Sequence, residues 1–162
     1  MRIGLISDSH GFIHPGVFDF FEDVDEVWHA GDIGNIALSD QLEKFKPLRA
    51  VYGNIDGQDV RLVYPKDQIF TVAGAKIFIT HIGGYPKRYD SRALKIINKE
   101  KPDLFISGHS HILKIINDQE KNMLHINPGA VGKSGFHYKV TAVKFEIYNG
   151  RFKNLSVFEV DR

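Results

Sequence analysis

Glu26-Val27-Trp28-His29-Ala30-Gly31-Asp32-Ile33-Gly34 is the stretch on which the reading of this chain turns. It reads as a short apolar strand that stops at a glycine and delivers one carboxylate. An aspartate after a strand is most often a turn residue or a helix cap. Here four other strand ends also finish in side chains able to bind a metal, and a site built from all of them needs one shared ligand in its middle. Asp32 is the candidate for that place.

Upstream, Ile3 to Ser7 is a near-continuous apolar run, the pattern of a strand buried on both faces, and it ends at Asp8-Ser9-His10-Gly11. His14-Pro15 then opens a short helix with Val17, Phe18, Phe20 and Phe21 on its apolar side. Downstream, Asn35 is placed to cap a helix in which Leu38, Leu42 and Phe45 recur, and Pro47 closes it. Leu48 to Tyr52 is a third strand, ending at Gly53-Asn54-Ile55-Asp56. Strand, helix, strand, helix, strand favours a parallel sheet with covering helices.

The character then changes to hairpins. Asp67 to Val72 and Lys76 to Thr80 flank Ala73-Gly74-Ala75, and the second strand ends at His81-Ile82-Gly83-Gly84. Asp90 caps a helix carrying Ala93, Leu94, Ile96 and Ile97, stopped by Pro102. Leu104 to Ser107 leads to Gly108-His109-Ser110-His111. Leu113 to Asn117 and Met123 to Ile126 pair across residues 118–122, and Asn127 to Gly132 is expected as a loop. Val140 to Tyr148 and Phe152 to Val160 pair around Asn149-Gly150, the strongest hairpin turn in the chain. The class is α/β early and hairpin-rich late (α+β), and two packed sheets with helices outside would bury both apolar sets.

With 162 residues, the chain fits one domain, 1–162, with a real core. A net charge of +1 offers no polybasic surface, so no stable nucleic-acid partner is expected. The absence of cysteine excludes disulfides and thiolate-held metal. No apolar run has the length of a signal peptide or a span, so the expectation is a cytoplasmic protein without a membrane partner. Phe152 to Val160 is a candidate edge for a homo-oligomer.

Five strand ends thus carry candidate ligands: Asp8 and His10, Asp32, Asn54, His81, and His109 with His111. In open α/β sheets the crevice beyond the carboxyl ends of the strands is where ligands bind. Nitrogen mixed with hard oxygen suits Mn, Fe, Zn, Ni or Co better than Ca or Mg. Seven side chains are too many for one tetrahedral ion and suit two ions sharing a bridge. In an extended Asp8-Ser9-His10 the first and third side chains would point the same way. Two divalent ions bring about +4, Asp8 and Asp32 return about −2, and a bridging hydroxide leaves roughly +1, a centre that attracts a phosphate oxyanion.

The ordered set Asp8-Ser9-His10, Gly31-Asp32, Gly53-Asn54, His81 and Gly108-His109-Ser110-His111 resembles the calcineurin-like metallophosphoesterases, and most of all their small single-domain bacterial and archaeal phosphodiesterases. Asn127-Pro128-Gly129 is similar to that branch's late loop. The resemblance implies a four-layer α/β/β/α sandwich of two mixed sheets flanked by helices. It implies one ion on Asp8, His10, Asp32 and His111 and another on Asp32, Asn54, His81 and His109, with Mn the first expectation. Asp32, Asn54 and His81 are then the catalytic side chains, and a metal-bridging hydroxide attacks phosphorus in line. The function implied is a metal-dependent phosphodiesterase acting on a small phosphate ester. The alternatives are a phosphomonoesterase or nucleotide hydrolase, and a non-catalytic scaffold of the same fold such as the retromer subunit.

The sequence departs from the wider family at Ile55, where many members have a histidine read as the leaving-group acid or a phosphate contact. It departs also at Ile82, at Ala130 where serine is common, and at Lys133-Ser134 where Pro-Arg is common. The residue missing at position 55 favours diesters over monoesters. His29 reads as a supporting residue, His14 as a surface residue at a helix start, and His125 as a strand-face residue. Lys133, His137 and Arg88 are the candidates for substrate contact.

Overall fold

The computed structural model describes residues 1–162. Its elements are β1 (Arg2–Ile6), α1 (Gly16–Phe20), β2 (Glu26–His29), α2 (Ile36–Phe45), β3 (Leu48–Ala50), α3 (Gln58–Val63), β4 (Asp67–Val72), β5 (Ala75–Thr80), β6 (Gly84–Tyr85), β7 (Arg88–Tyr89), α4 (Ser91–Glu100), β8 (Leu104–Ile106), β9 (Leu113–Asp118), β10 (Met123–Pro128), β11 (Lys139–Tyr148) and β12 (Arg151–Asp161). One five-stranded sheet has the order β12-β11-β1-β2-β3 and the other β4-β5-β8-β10-β9. Both are mixed: β1, β2 and β3 run parallel while β11 is antiparallel to β1. In the second sheet β5, β8 and β10 run parallel between antiparallel β4 and β9.

Period-two alternation divides each strand between two cores. Ile3, Leu5, Trp28 and Phe145 from the first sheet meet Ile77, Ile79 and Ile106 from the second, all fully buried. The other face of the first sheet packs Ile6, Val27 and Ala142 against Val17, Leu38, Leu42 and Val60 of α1, α2 and α3. The outer face of the second sheet packs Phe78 and Phe105 against Ala93 and Ile97 of α4. Four layers result, as expected. Asn35 Oδ1 accepts the Leu38 N–H at 2.9 Å, and Asp90 Oδ1 accepts those of Arg92 and Ala93 at 3.0 and 3.1 Å, so both foreseen caps form. No helix is long and apolar enough to cross a membrane.

Three local features differ from the sequence reading. Helix α3 was not expected, because only Val60 of its residues is buried and Leu62 and Val63 face outward. The two-residue strands β6 and β7 were also missed. Asn127-Pro128 is not loop but the end of β10, paired with Lys114 and Leu113 of β9. Proline is tolerated there because pairing with β8 has already stopped at Ile126, so no ladder N–H is lost. Strand β12 is a sheet edge with Leu155 and Val157 partly exposed.

His125 faces the core under α4. It is fully buried, stacked on Phe105 at 5.2 Å, with its Nδ1–H donating to the Phe105 carbonyl at 3.2 Å. Burial holds its pKa down to about 4, below the usual 6.5, so the native state keeps it neutral. The unfolded chain takes up a proton as pH falls through 6.5, and the folded one only near 4. Stability present above pH 6.5 is therefore lost progressively as pH falls toward 4. The melting temperature of the metal-free protein is expected to fall across that window, and that of His125→Gln to fall less, by calorimetry at matched ionic strength.

Candidate metal centre

The seven candidate side chains arrive on loops at the carboxyl ends of β1, β2, β3, β5 and β8, where the two sheets meet. Backbone bonds stitch these loops together. Asp8 N donates to Gly31 O and His10 N to Asp32 O, both at 3.0 Å, and Gly108 N donates to His81 O at 2.9 Å. Two groups form. The ligand atoms of Asp8, His10 and His111 lie within 4.8 Å of one another, and so do those of Asp32, His81 and His109. Asp32 sits between them, with Oδ2 at 3.3 Å from His81 Nε2 and 3.7 Å from His10 Nε2. Asn54 Oδ1 lies 3.1 Å from His81 Nε2.

The expected extended Asp8-Ser9-His10 is not found. Asp8 (φ 55°) and His10 (φ 47°) are left-handed, as are Asp32 (58°), His109 (67°) and His111 (57°). Eleven non-glycine residues in the chain have positive φ, and five of them are these candidate ligands. Each such conformation costs of order 1–3 kcal/mol and persists where the surroundings over-determine it. The two side chains of the first loop still converge, through a tight turn rather than a shared strand face.

Residues outside the candidate ligand set hold the loops, and the role of Asp56 among them is one that sequence reasoning missed. Asp56 is buried, and its carboxylate accepts the N–H groups of Ile33 (3.1 Å), Gly34 (2.7 Å) and Gly53 (2.7 Å). It therefore locks the Asp32 loop to the Asn54 loop. His29 takes the supporting role expected of it. Its Nδ1 accepts Gly31 N–H, so Nε2–H donates to Ser9 Oγ at 2.8 Å, and the hydroxyl passes the bond to Ile33 O. Burial keeps this ring neutral, with a pKa of about 4. Asn127 Nδ2 donates to Gly108 O at 2.8 Å and fixes the His109–His111 loop. Gly53 is required by close approach, since a Cβ there would overlap Asp32 Oδ1.

The two carboxylates are built alike. Asp8 Oδ2 accepts the His109 N–H at 3.1 Å and Asp32 Oδ1 accepts the Ile55 N–H at 3.0 Å, leaving Asp8 Oδ1 and Asp32 Oδ2 to face the imidazoles. The imidazoles turn lone pairs toward them. His81 Nδ1–H donates to Ala30 O at 2.8 Å, so neutral His81 presents a bare Nε2 to Asp32, Asn54 and Asp8. His137 Nε2–H donates to Gly132 O at 3.0 Å, so its Nδ1 accepts from His111 Nδ1 at 3.1 Å. His111 Nε2 is then bare and 3.1 Å from Asp8 Oδ1. Asp8 Oδ1 and His10 Nε2 are buried without any hydrogen-bond partner. Acceptors facing acceptors at these distances require a cation between them. A proton on His81 is a partial answer: burial pulls its pKa down, but Asp32 and Asp8 outweigh that and the net shift is upward. The two groups together offer imidazole nitrogen and hard oxygen in one cluster, a donor set that fits two divalent ions.

Of the candidate substrate contacts, His137 is at the cluster but acts on His111. Lys133 lies over the Phe12 ring at 4.0 Å, and Arg88 is exposed in β7. Ile55 and Ile82 are both exposed, at 46% and 42%.

The family model of the calcineurin-like phosphoesterase superfamily domain matches residues 1–150. The chain belongs to that superfamily. A probable metallophosphoesterase of Methanothermobacter thermautotrophicus is 34% identical over 136 residues, covering 80% of this chain and 77% of that one. Among solved structures, a Thermotoga maritima protein aligns at TM-score 0.73 and 27% identity, covering 97% of this chain and 99% of that chain. Vps29 of Chaetomium thermophilum aligns at TM-score 0.77 and 16% identity, covering 99% and 97%, a likeness of fold alone. In the calcineurin-like superfamily the chain is thus a two-sheet member whose own residues fit a metal centre.

Two outcomes follow from the supporting residues. Asp56→Ala leaves three N–H groups without acceptors and should destabilise the protein by roughly 3 kcal/mol in urea unfolding, with Asp56→Asn costing about half. In the metal-free protein, nitrogen-15 shifts should report His111 protonated at Nδ1. His137→Ala should mix that tautomer with the other and weaken metal binding about ten-fold by calorimetric titration.

Proposed function

We propose that this chain is a cytoplasmic phosphodiesterase that works with two divalent ions, Mn first among them, on a small phosphate ester. The observation that carries the reading is the pair of buried carboxylates whose free oxygens face bare imidazole nitrogens at 3.1 and 3.3 Å. Asp8, His10, His111 and Asp32 would hold one ion, and Asp32, Asn54, His81 and His109 the other. Bound there, the ions supply an acidified water and a positive counter-charge for the phosphoryl oxygens. The protein's part is placement: Asp32 ties the two positions together, Ala30 O aims His81, His137 aims His111, and Asp56 keeps Asp32 beside Asn54.

Preference for a diester is supported by two features. Ile55 stands where the family's leaving-group acid is often found, and Asp56 beside it is fully engaged with backbone amides. The cluster is also flanked on both sides by recesses, of about 360 Å³ beside Asn54 and His81 and about 410 Å³ beside His109 and His111. Ile82 lines the first, and Ile112 and Phe136 the second. A phosphorus held between them has room for an organic group on each side, as a diester requires.

Turnover of bis-aryl and mono-aryl phosphates with added Mn tests the reading. The diester should be the faster substrate, and Asp32→Asn should lose both turnover and metal stoichiometry. Faster monoester turnover would overturn the diester preference. A folded protein that takes up no metal and cleaves neither ester would leave the scaffold reading instead.

A further inference from the structure

The recess beside Asn54 and His81 is lined by three basic side chains and one acidic one. The chain as a whole balances 21 Lys and Arg against 20 Asp and Glu. This recess gathers Arg61, Lys66 and Arg92 against one lining carboxylate, Asp90, which is already engaged in capping α4. Arg61 is held rigidly: its Nε–H donates to Asp56 O at 2.7 Å, its Nη2 to Asn54 O at 3.1 Å, and its guanidinium lies over the Tyr52 ring at 4.8 Å. Those partners are neutral, so its charge is uncompensated and its Nη1 donors are free. Arg92 is fixed by an ion pair with Asp67 at 2.6 Å, which offsets its charge, and by Thr80 Oγ1 at 2.9 Å, leaving Nε–H unused. Lys66 is exposed and makes no ion pair.

We infer that this recess is an anion subsite for a second phosphate, carried on one alcohol of the ester. The inference rests on the phosphoesterase reading and deepens it by naming the substrate class. Two preplaced guanidinium groups with spare donors, joined by a mobile ammonium, match the several acceptor oxygens of a phosphate better than a neutral alcohol. The recess shares Asn54 and His81 with the metal centre, so a group held there adjoins the position of the scissile phosphorus. Its volume of about 360 Å³ accommodates a sugar-phosphate or nucleotide-sized group. Helix α3 buries only Val60, yet it carries Arg61 to this wall.

The first measurement uses the metal-free protein titrated with inorganic phosphate. The Nε–Hε resonances of Arg61 and Arg92 should move together and saturate, and Lys66→Glu should abolish the shift. No movement, or movement equal in Lys66→Glu, overturns the subsite. The second compares two aryl phosphodiesters on the Mn-loaded enzyme, alike except for a terminal phosphate on the retained alcohol. The ratio of their kcat/KM values, charged over uncharged, should fall about ten-fold in Lys66→Ala and further in Lys66→Glu. An unchanged ratio overturns the proposal. Lys66 is exposed, so neither variant threatens the fold. If the wild type cleaves neither ester, the phosphoesterase reading is what fails, and the phosphate titration alone decides the subsite.

Discussion

Two buried carboxylates without a cationic side chain between them are the constraint on which this structure depends. Asp8 is fully buried and Asp32 is 2% exposed, and neither pairs with lysine or arginine. Each carboxylate commits one oxygen to a backbone amide of a neighbouring loop and turns the other toward imidazole nitrogens. An isolated buried charge is expensive enough that proteins ordinarily neutralise or pair it. Here the surroundings do the reverse: carbonyls at Ala30 and Gly132 fix histidine tautomers so that more lone pairs face the same space. As protein alone the cluster is relieved only in part, by a proton on His81, and it is self-consistent around cations.

Holding such a cluster together explains the rest of the architecture. The candidate ligands come from both sheets, so the cluster exists only while the sheets keep their relative position. That position is set by the shared core of Leu5, Trp28, Ile77, Ile79, Ile106 and Phe145, large fully buried side chains whose displacement would open cavities. The loops above the core carry five left-handed candidate ligands, and the clamps at Asp56, the His29–Ser9 pair and Asn127 fall where those loops touch. Local strain at the ligands is offset by burial below and by backbone hydrogen bonds around them.

What was legible in the sequence was what depends on local chemistry. Apolar runs, the Asn35 and Asp90 caps and the Asn149-Gly150 turn signal their structures within a few residues, and the order of the strand ends pointed to side chains that the fold brings into one cluster. Helix α3 was illegible because its sequence has no apolar stripe: it is held by Val60 and by the Arg61 bonds to the preceding loop. Asp56 was illegible because nothing near it in sequence tells that amides from residues 33, 34 and 53 will converge on it. The same holds for His137, whose partner His111 is 26 residues away. The extended geometry assumed for Asp8-Ser9-His10 failed for a related reason. A side-chain period holds inside a strand, and these residues lie just past its end, where the chain turns left-handed to meet the neighbouring loop.

The role found for Asp56 also bears on the chemistry. Next to Ile55, it is the obvious substitute for the acid that many family members place there. With its oxygens accepting from the amides of Ile33, Gly34 and Gly53, it is committed to holding the loops together. On the diesterase reading, the burden then moves to the substrate: an alcohol that departs readily without a donated proton. Arg61 stands on the same short segment as Asn54 and Asp56, bonded to the carbonyls of both. The segment that lacks the usual histidine therefore supplies a permanent positive charge instead. A fixed guanidinium there needs no proton transfer to act, and it selects for esters that bring their own negative charge to that side of the site.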